Sequence, residues 1–85
     1  MDLINQSLAL NQEGRFEESV GAARNALKLD PRSAVAWNNI AADYEAMQRW
    51  DEAIAAAQKA LALKPDFQLA KNNLAWAEQQ KRAAK

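Results

Sequence analysis

Displaced by 34 residues, the chain lies on itself. Arg15 falls on Arg49, Glu18 on Glu52, Ala22 and Ala23 on Ala56 and Ala57, Ala26 and Leu27 on Ala60 and Leu61, Leu29 on Leu63, and Pro31 on Pro65. The same displacement carries Asn5 onto Asn39, Asn38 and Asn39 onto Asn72 and Asn73, and Ala41 onto Ala75. Alanine alone would coincide often, but it would not bring prolines, arginines and asparagines into step. A fixed period of this length means one supersecondary unit used repeatedly, each copy burying its apolar side against its neighbours.

The unit is clearest from Trp37 to Pro65, WNNIAADYEAMQRWDEAIAAAQKALALKP, which reads as a pair of helices. Trp37, Ile40, Ala41 and Tyr44 stand at i, i+3, i+4 and i+7, the spacing of one helical face, in a helix expected over 34–47 with Ser33 as its N-cap. Gln48 stands at the turn. The next helix, expected over 51–63, presents Ile54, Ala57, Ala60 and Leu61, and Pro65 closes the unit.

Upstream the pattern is looser. A helix is expected over 2–13 with Leu3, Ile4 and Leu10 toward the core, ended by Gly14, which takes the left-handed conformation that closes a helix. Arg15 and Phe16 lead into a second helix that stops at Asp30-Pro31. Glu17 and Glu18, and one period later Asp51 and Glu52, fall in first turns, where carboxylates complement the helix dipole. Neighbours on a helix do not face one another, so these acids are not a catalytic pair.

Beyond Pro65, with Asp66 as the expected cap, residues 67–82 repeat the first half of the unit. Ala70, Leu74 and Ala75 are expected inward, but Lys71 replaces Trp37 and Glu78 replaces Tyr44. Polar residues at packing sites predict a capping helix with a wet outer side, or the opening helix of a third unit.

At 85 residues the chain is one small domain with a thin core: twenty alanines but only sixteen Leu, Ile, Val and Phe together. Close approach of helices is favoured over bulky burial. Eleven basic residues balance eleven acidic ones, so no overall field draws in nucleic acid or an anionic membrane. Lys81, Arg82 and Lys85 form a short basic tail suited to a helix C-terminus.

Cysteine and histidine are absent, which removes disulfides and thiolate or imidazole metal sites, and no stretch resembles an acidic calcium loop. Ser7, Ser19 and Ser33 have no histidine to activate them, and Gly14 and Gly21 are too isolated for a phosphate-cradling loop. Neither an enzyme nor a cofactor is expected. No apolar run approaches the roughly 18 residues needed to span a bilayer, and MDLINQSLAL lacks the pattern of a signal peptide. No direct membrane insertion is expected.

At Trp37, Ile40, Ala41, Tyr44, Ala53, Ala60 and Pro65 the sequence resembles the tetratricopeptide repeat. The resemblance is specific over 34–67 and looser over 1–33, where Leu3, Ser7, Leu10, Ser19, Ala26 and Pro31 hold the corresponding places and Gln6 replaces an aliphatic residue. Ala23 and Ala57 occupy a site that is usually larger in the family. It implies an all-α, right-handed α-solenoid of antiparallel helix pairs with five helices. The single domain would divide into a first repeat (1–33), a second (34–67) and a capping helix or truncated third (68–85).

The resemblance also implies a protein-interaction module that binds a peptide or helix on the concave face formed by the first helix of each repeat. Asn5, Asn39 and Asn73 fall at one equivalent position of those helices. A carboxamide donates and accepts, so each can pair with a peptide unit of an extended ligand. Packed helices lie about 8 to 10 Å apart and a strand advances about 3.3 Å per residue, so such a ladder meets roughly every third ligand residue.

One turn along the same face lie Leu8, Ala42 and Trp76, flanked by Asn11, Glu45 and Gln79. Two readings of Trp76 stand: a ring folded over the stack edge as core, or an aromatic anchor for a ligand or second chain. Trp37 and Trp50 are expected in the interior or in turn packing. The family's clamp for a C-terminal carboxylate is not expected, because Ile4, Leu8, Leu69 and Asn73 stand at four of its five sites and only Asn39 matches.

The expected partner is therefore a protein or peptide and not nucleic acid. The alternative is self-association into a homo-oligomer that buries Trp76, Leu8 and Met1, since two and a half repeats are fewer than a secure stack needs. The expected location is the cytoplasm or another soluble compartment. PDFQLAKNNLAWA also resembles the end of tetratricopeptide tails on bacterial envelope and glycosyltransferase-like membrane proteins, which would make the chain a soluble part of a larger protein.

Overall fold

A computed structural model describes residues 2–84. Met1 and Lys85, named above for a self-contact and for the basic tail, lie outside the described residues. The fold is an all-α helical-repeat solenoid of five helices: α1 (Leu3–Gln12), α2 (Phe16–Leu29), α3 (Ala34–Ala46), α4 (Trp50–Leu63) and α5 (Gln68–Ala83). No helix among the described residues is long and apolar enough to cross a membrane.

The two helical hairpins turn the same way with different residues. Gly14 has φ 80° and Gln48 φ 60°. Around Gly14, the Arg15 amide donates to the Leu10 carbonyl at 2.9 Å and the Gly14 amide to Asn11 at 3.0 Å. Around Gln48, Arg49 donates to Tyr44 at 2.8 Å and Gln48 to Glu45 at 3.0 Å. This pattern satisfies the last helical carbonyls only when one residue is left-handed, a conformation that glycine adopts freely and glutamine does not. Ser33 caps α3 by accepting from the Ala36 amide. Asp66 does not cap α5: Phe67, one period after Ser33, occupies the cap position without a side-chain bond, and Asp66 falls one residue outside it.

α3 is the centre of the stack. It packs against α4 on one side, α2 on the other, and touches α1 and α5. Ile40, Ala41 and Tyr44 are buried, and Trp37 and Trp50 are partly buried against the same cluster. Ala23, Ala53, Ala57 and Ala60 are almost fully buried, so helix backbones approach where larger side chains would hold them apart.

On α5 the expected face is corrected. Ala70 and Ala77 are buried, with Asn73 and Leu74 partly buried between them, while Ala75 is exposed. Ala41, its counterpart in α3, is buried because α3 has neighbours on both sides; α5 has them on one side only and buries a narrower stripe. Lys71 and Glu78 face solvent.

Three fully buried polar side chains join the first hairpin to α3. Ser19 Oγ lies 2.7 Å from both the Ser7 carbonyl oxygen and Asp43 Oδ2, and the Ser7 hydroxyl donates to the Ser19 carbonyl at 3.0 Å. Asn11 Nδ2 donates to Asp43 Oδ1 at 2.7 Å. One hydroxyl hydrogen on Ser19 cannot serve two acceptors. When Asp43 carries the proton and donates to Ser19, which donates to Ser7, each of these becomes a hydrogen bond, and only the 3.0 Å approach of the two serine hydroxyls is left without a hydrogen. Burial pushes the Asp43 carboxyl above its ordinary range, against the pull of Asn11 and Ser19, in the direction this arrangement needs. One period later the same three positions hold Ala41, Ala53 and Ala77, all essentially inaccessible. A polar triad is thus followed, at the same three positions, by an apolar one.

Candidate functional site

α1, α3 and α5 lie side by side and present one face. Leu8 is 47% exposed and Trp76 52% exposed, at equivalent positions on the two outer helices, with half-buried Ala42 between them in sequence register. Trp76 is therefore not folded over the edge as core. Leu8 and Ala42, with Asn11 and Asn39, line a small depression of about 40 Å³ between α1 and α3.

The three asparagines at equivalent positions are not in equivalent states. Asn5 donates from Nδ2 to Asp2 Oδ2 at 2.9 Å, within the N-cap of α1. Asn73 donates to Asn38 Oδ1 at 2.7 Å. Asn39 has no side-chain hydrogen bond among the described residues and borders the depression. The polar edge of the face thus has one carboxamide wholly available and two already committed through one N–H.

Glu45 lies on the same face beyond Ala42. Its Oε2 is buried without a partner, and burial raises the carboxyl to about 7. A carboxyl held near neutrality can act as donor or acceptor toward an approaching ligand.

The sequence reading did not single out Asn38, which holds α5, or Ser7, Ser19 and Asp43 as a linked group. The signal available for Asn38 was its phase: it follows Trp37, on the side where α5 packs. For the serines it was their place one period before Ala41 and Ala53, which are small and buried.

Residues 34–67 match the family model described as tetratricopeptide repeat. Over that span the chain is similar to a tetratricopeptide repeat. The matched span contains α3 and α4 whole and ends at Phe67, the cap of α5. A comparison with curated proteins finds no match. Tetratricopeptide repeats generally mediate protein–protein interaction and are typically non-enzymatic. Within the matched span, Asn39, Ala42 and Glu45 of α3 share a face with Leu8 and Trp76.

Proposed function

We propose that the face of α1, α3 and α5 binds an extended peptide or a helix of a partner protein. The observation that carries this reading is the pairing of two large exposed apolar side chains, Leu8 and Trp76, with the unbonded carboxamide of Asn39 between them. The apolar groups supply anchors and Asn39 supplies main-chain recognition; Asn5 and Asn73 each keep a carbonyl oxygen and one N–H for the ligand. Glu45 adds the one carboxyl on α3 that faces this way. In this reading α5 caps the stack, with Lys71 and Glu78 turned to water. The test is a peptide selected from a displayed library and titrated by calorimetry against the protein and its Asn39→Ala variant. A loss of about 1 kcal/mol is expected for one net hydrogen bond, and unchanged affinity would remove Asn39 from the contact.

Leu69 and Trp76, seven residues apart on α5 and both more than half exposed, favour a second reading in which α5 pairs with α5 of another copy. Light scattering across a dilution series separates the two, because a monomer at every concentration excludes the self-paired form.

A further inference from the structure

The opposite side of the stack holds a groove that the peptide-binding reading does not use. It runs between α2 and α4, has a volume of about 260 Å³, and is floored by Trp37, Ile40 and Tyr44 of α3. An engineered cavity of about 150 Å³ accepts benzene, so this space has room for one aromatic or large aliphatic side chain. Trp37 is only partly buried, which leaves ring surface open in the floor.

The rim is cationic. Arg24 of α2 donates from Nη2 to the Tyr44 hydroxyl at 2.9 Å, which holds its guanidinium at one end of the groove. Its other N–H groups keep the forked geometry that suits a carboxylate. Lys59 lies along the α4 wall. Neither cation pairs with a carboxylate among the described residues. Glu52, the acid of the lining, is taken at both oxygens by Arg49 at 2.7 and 2.8 Å, and the Arg49 guanidinium also stands 5.2 Å from the Tyr44 ring centroid. Local charge is therefore positive on a molecule whose net charge is zero.

We propose that this groove is a second docking surface and that it takes an acidic segment of a partner protein. A bulky apolar side chain sits over Trp37 and Ile40, with one flanking carboxylate on Arg24 and another on Lys59. The molecule can then hold two segments at once, one on each side of α3.

The test uses the full chain, isotopically labelled, and blocked peptides with a central Phe, Leu, Ile, Met or Trp flanked on each side by two acidic residues. Matched sets carry lysine or glutamine flanks. Resonance shifts at low salt are expected for the Trp37 indole and for the amides of Ile40, Ala55 and Lys59 with the acidic set only. The Arg24→Gln, Lys59→Gln double variant should bind about tenfold more weakly or worse, with added salt weakening the parent likewise. Its unfolding midpoint reports whether the fold is intact, and Asn39→Ala should leave this binding unchanged. The proposal is overturned if the acidic set shifts nothing in the groove, if the basic or neutral set shifts it equally, if the shifts fall on Asn39 and Trp76 instead, or if the folded double variant binds as well as the parent.

Discussion

Asn73 Nδ2 donates to Asn38 Oδ1 across 2.7 Å, and this bond joins residues 35 apart in a chain whose repeat is 34. The asparagine pairs at 38–39 and 72–73 therefore do not stack like on like. Asn38 is turned inward to receive α5, which leaves Asn39 facing out with its carboxamide free.

Replacing Asn38 by alanine strands the half-buried Asn73 donor and should cost about 1 to 2 kcal/mol. The loss should be local. Native-state hydrogen exchange is expected to quicken in α5 and remain unchanged in α1 and α2. Exchange in α5 at the parent rate would show that the helix is held by Ala70, Leu74 and Ala77 alone.

Asp43 and Glu45 make stability depend on pH with an unusual sign. Burial raises both carboxyls in the folded chain, so each binds its proton more tightly there than in the unfolded chain. The stability they contribute is fully present below their unfolded values and is lost as pH rises to the folded ones, which for Glu45 means a decline that begins near pH 4.5 and is complete near pH 7. Urea midpoints should fall between about pH 4 and pH 7, and Glu45→Gln should flatten the upper part of that fall.

Asp43→Asn keeps an acceptor for Asn11 and a donor for Ser19, so it should fold with nearly parental stability and a weaker pH response. Asp43→Ala leaves Asn11 without its acceptor and a void beside two hydroxyls, and should lose about 2 to 4 kcal/mol. Equal losses in the two variants, read from chemical denaturation at one pH, would contradict a proton on Asp43.

Gln48 stands in a left-handed conformation at φ 60°, where its counterpart is Gly14 at φ 80°. Gln48→Gly should stabilise the protein by up to about 1 kcal/mol, because the left-handed penalty for an L side chain is removed. Gly14→Ala should destabilise by a similar amount through the backbone alone, since an added Cβ there meets nothing within 4 Å. Both are read as shifts of the urea midpoint at constant slope.

Two tryptophans should separate scaffold from surface. Trp76→Ala should change stability by less than about 1 kcal/mol while reducing affinity for a ligand of the α1, α3, α5 face by about tenfold or more. Trp37→Ala removes a ring packed against Ile40 and Tyr44 and should cost about 3 kcal/mol. A large stability loss for Trp76→Ala would return that ring to the core.

Much of the fold was legible in the sequence because it is written in local chemistry. Pro31 and Pro65, the turn positions Gly14 and Gln48, and the Ser33 cap bound every helix to within one or two residues. What eluded it depends on neighbours distant in sequence. Ala75 repeats Ala41 and was expected inside, yet a helix with a neighbour on one side only buries fewer positions. Ser7 and Ser19 have no histidine to make nucleophiles of them, and their role depends on Asp43, which lies 24 residues beyond Ser19 and is brought to it only by the stacking of α3. Of the face residues, Asn39, Leu8 and Trp76 appear where the period places them, whereas Asn5 and Asn73 are partly occupied by partners that the period does not encode.

The succession from Ser7, Ser19 and Asp43 to Ala41, Ala53 and Ala77 gives the central unit two unlike ends. It enters its junction with the first hairpin through a carboxyl that needs hydroxyl and amide partners, and at the same three positions toward α5 it offers only methyl groups, the polar link there being Asn38 to Asn73. If the unit followed a copy of itself, Asp43 of the second copy would meet Ala41 and Ala53 of the first where it now meets two serines, and Glu45 where it now meets Asn11, with a desolvation cost of about 2 kcal/mol or more. The order of the helices is thereby written into the seams between them, and lengthening this array by duplication would set two carboxyls, Asp43 and Glu45, where a carboxyl and a carboxamide now meet.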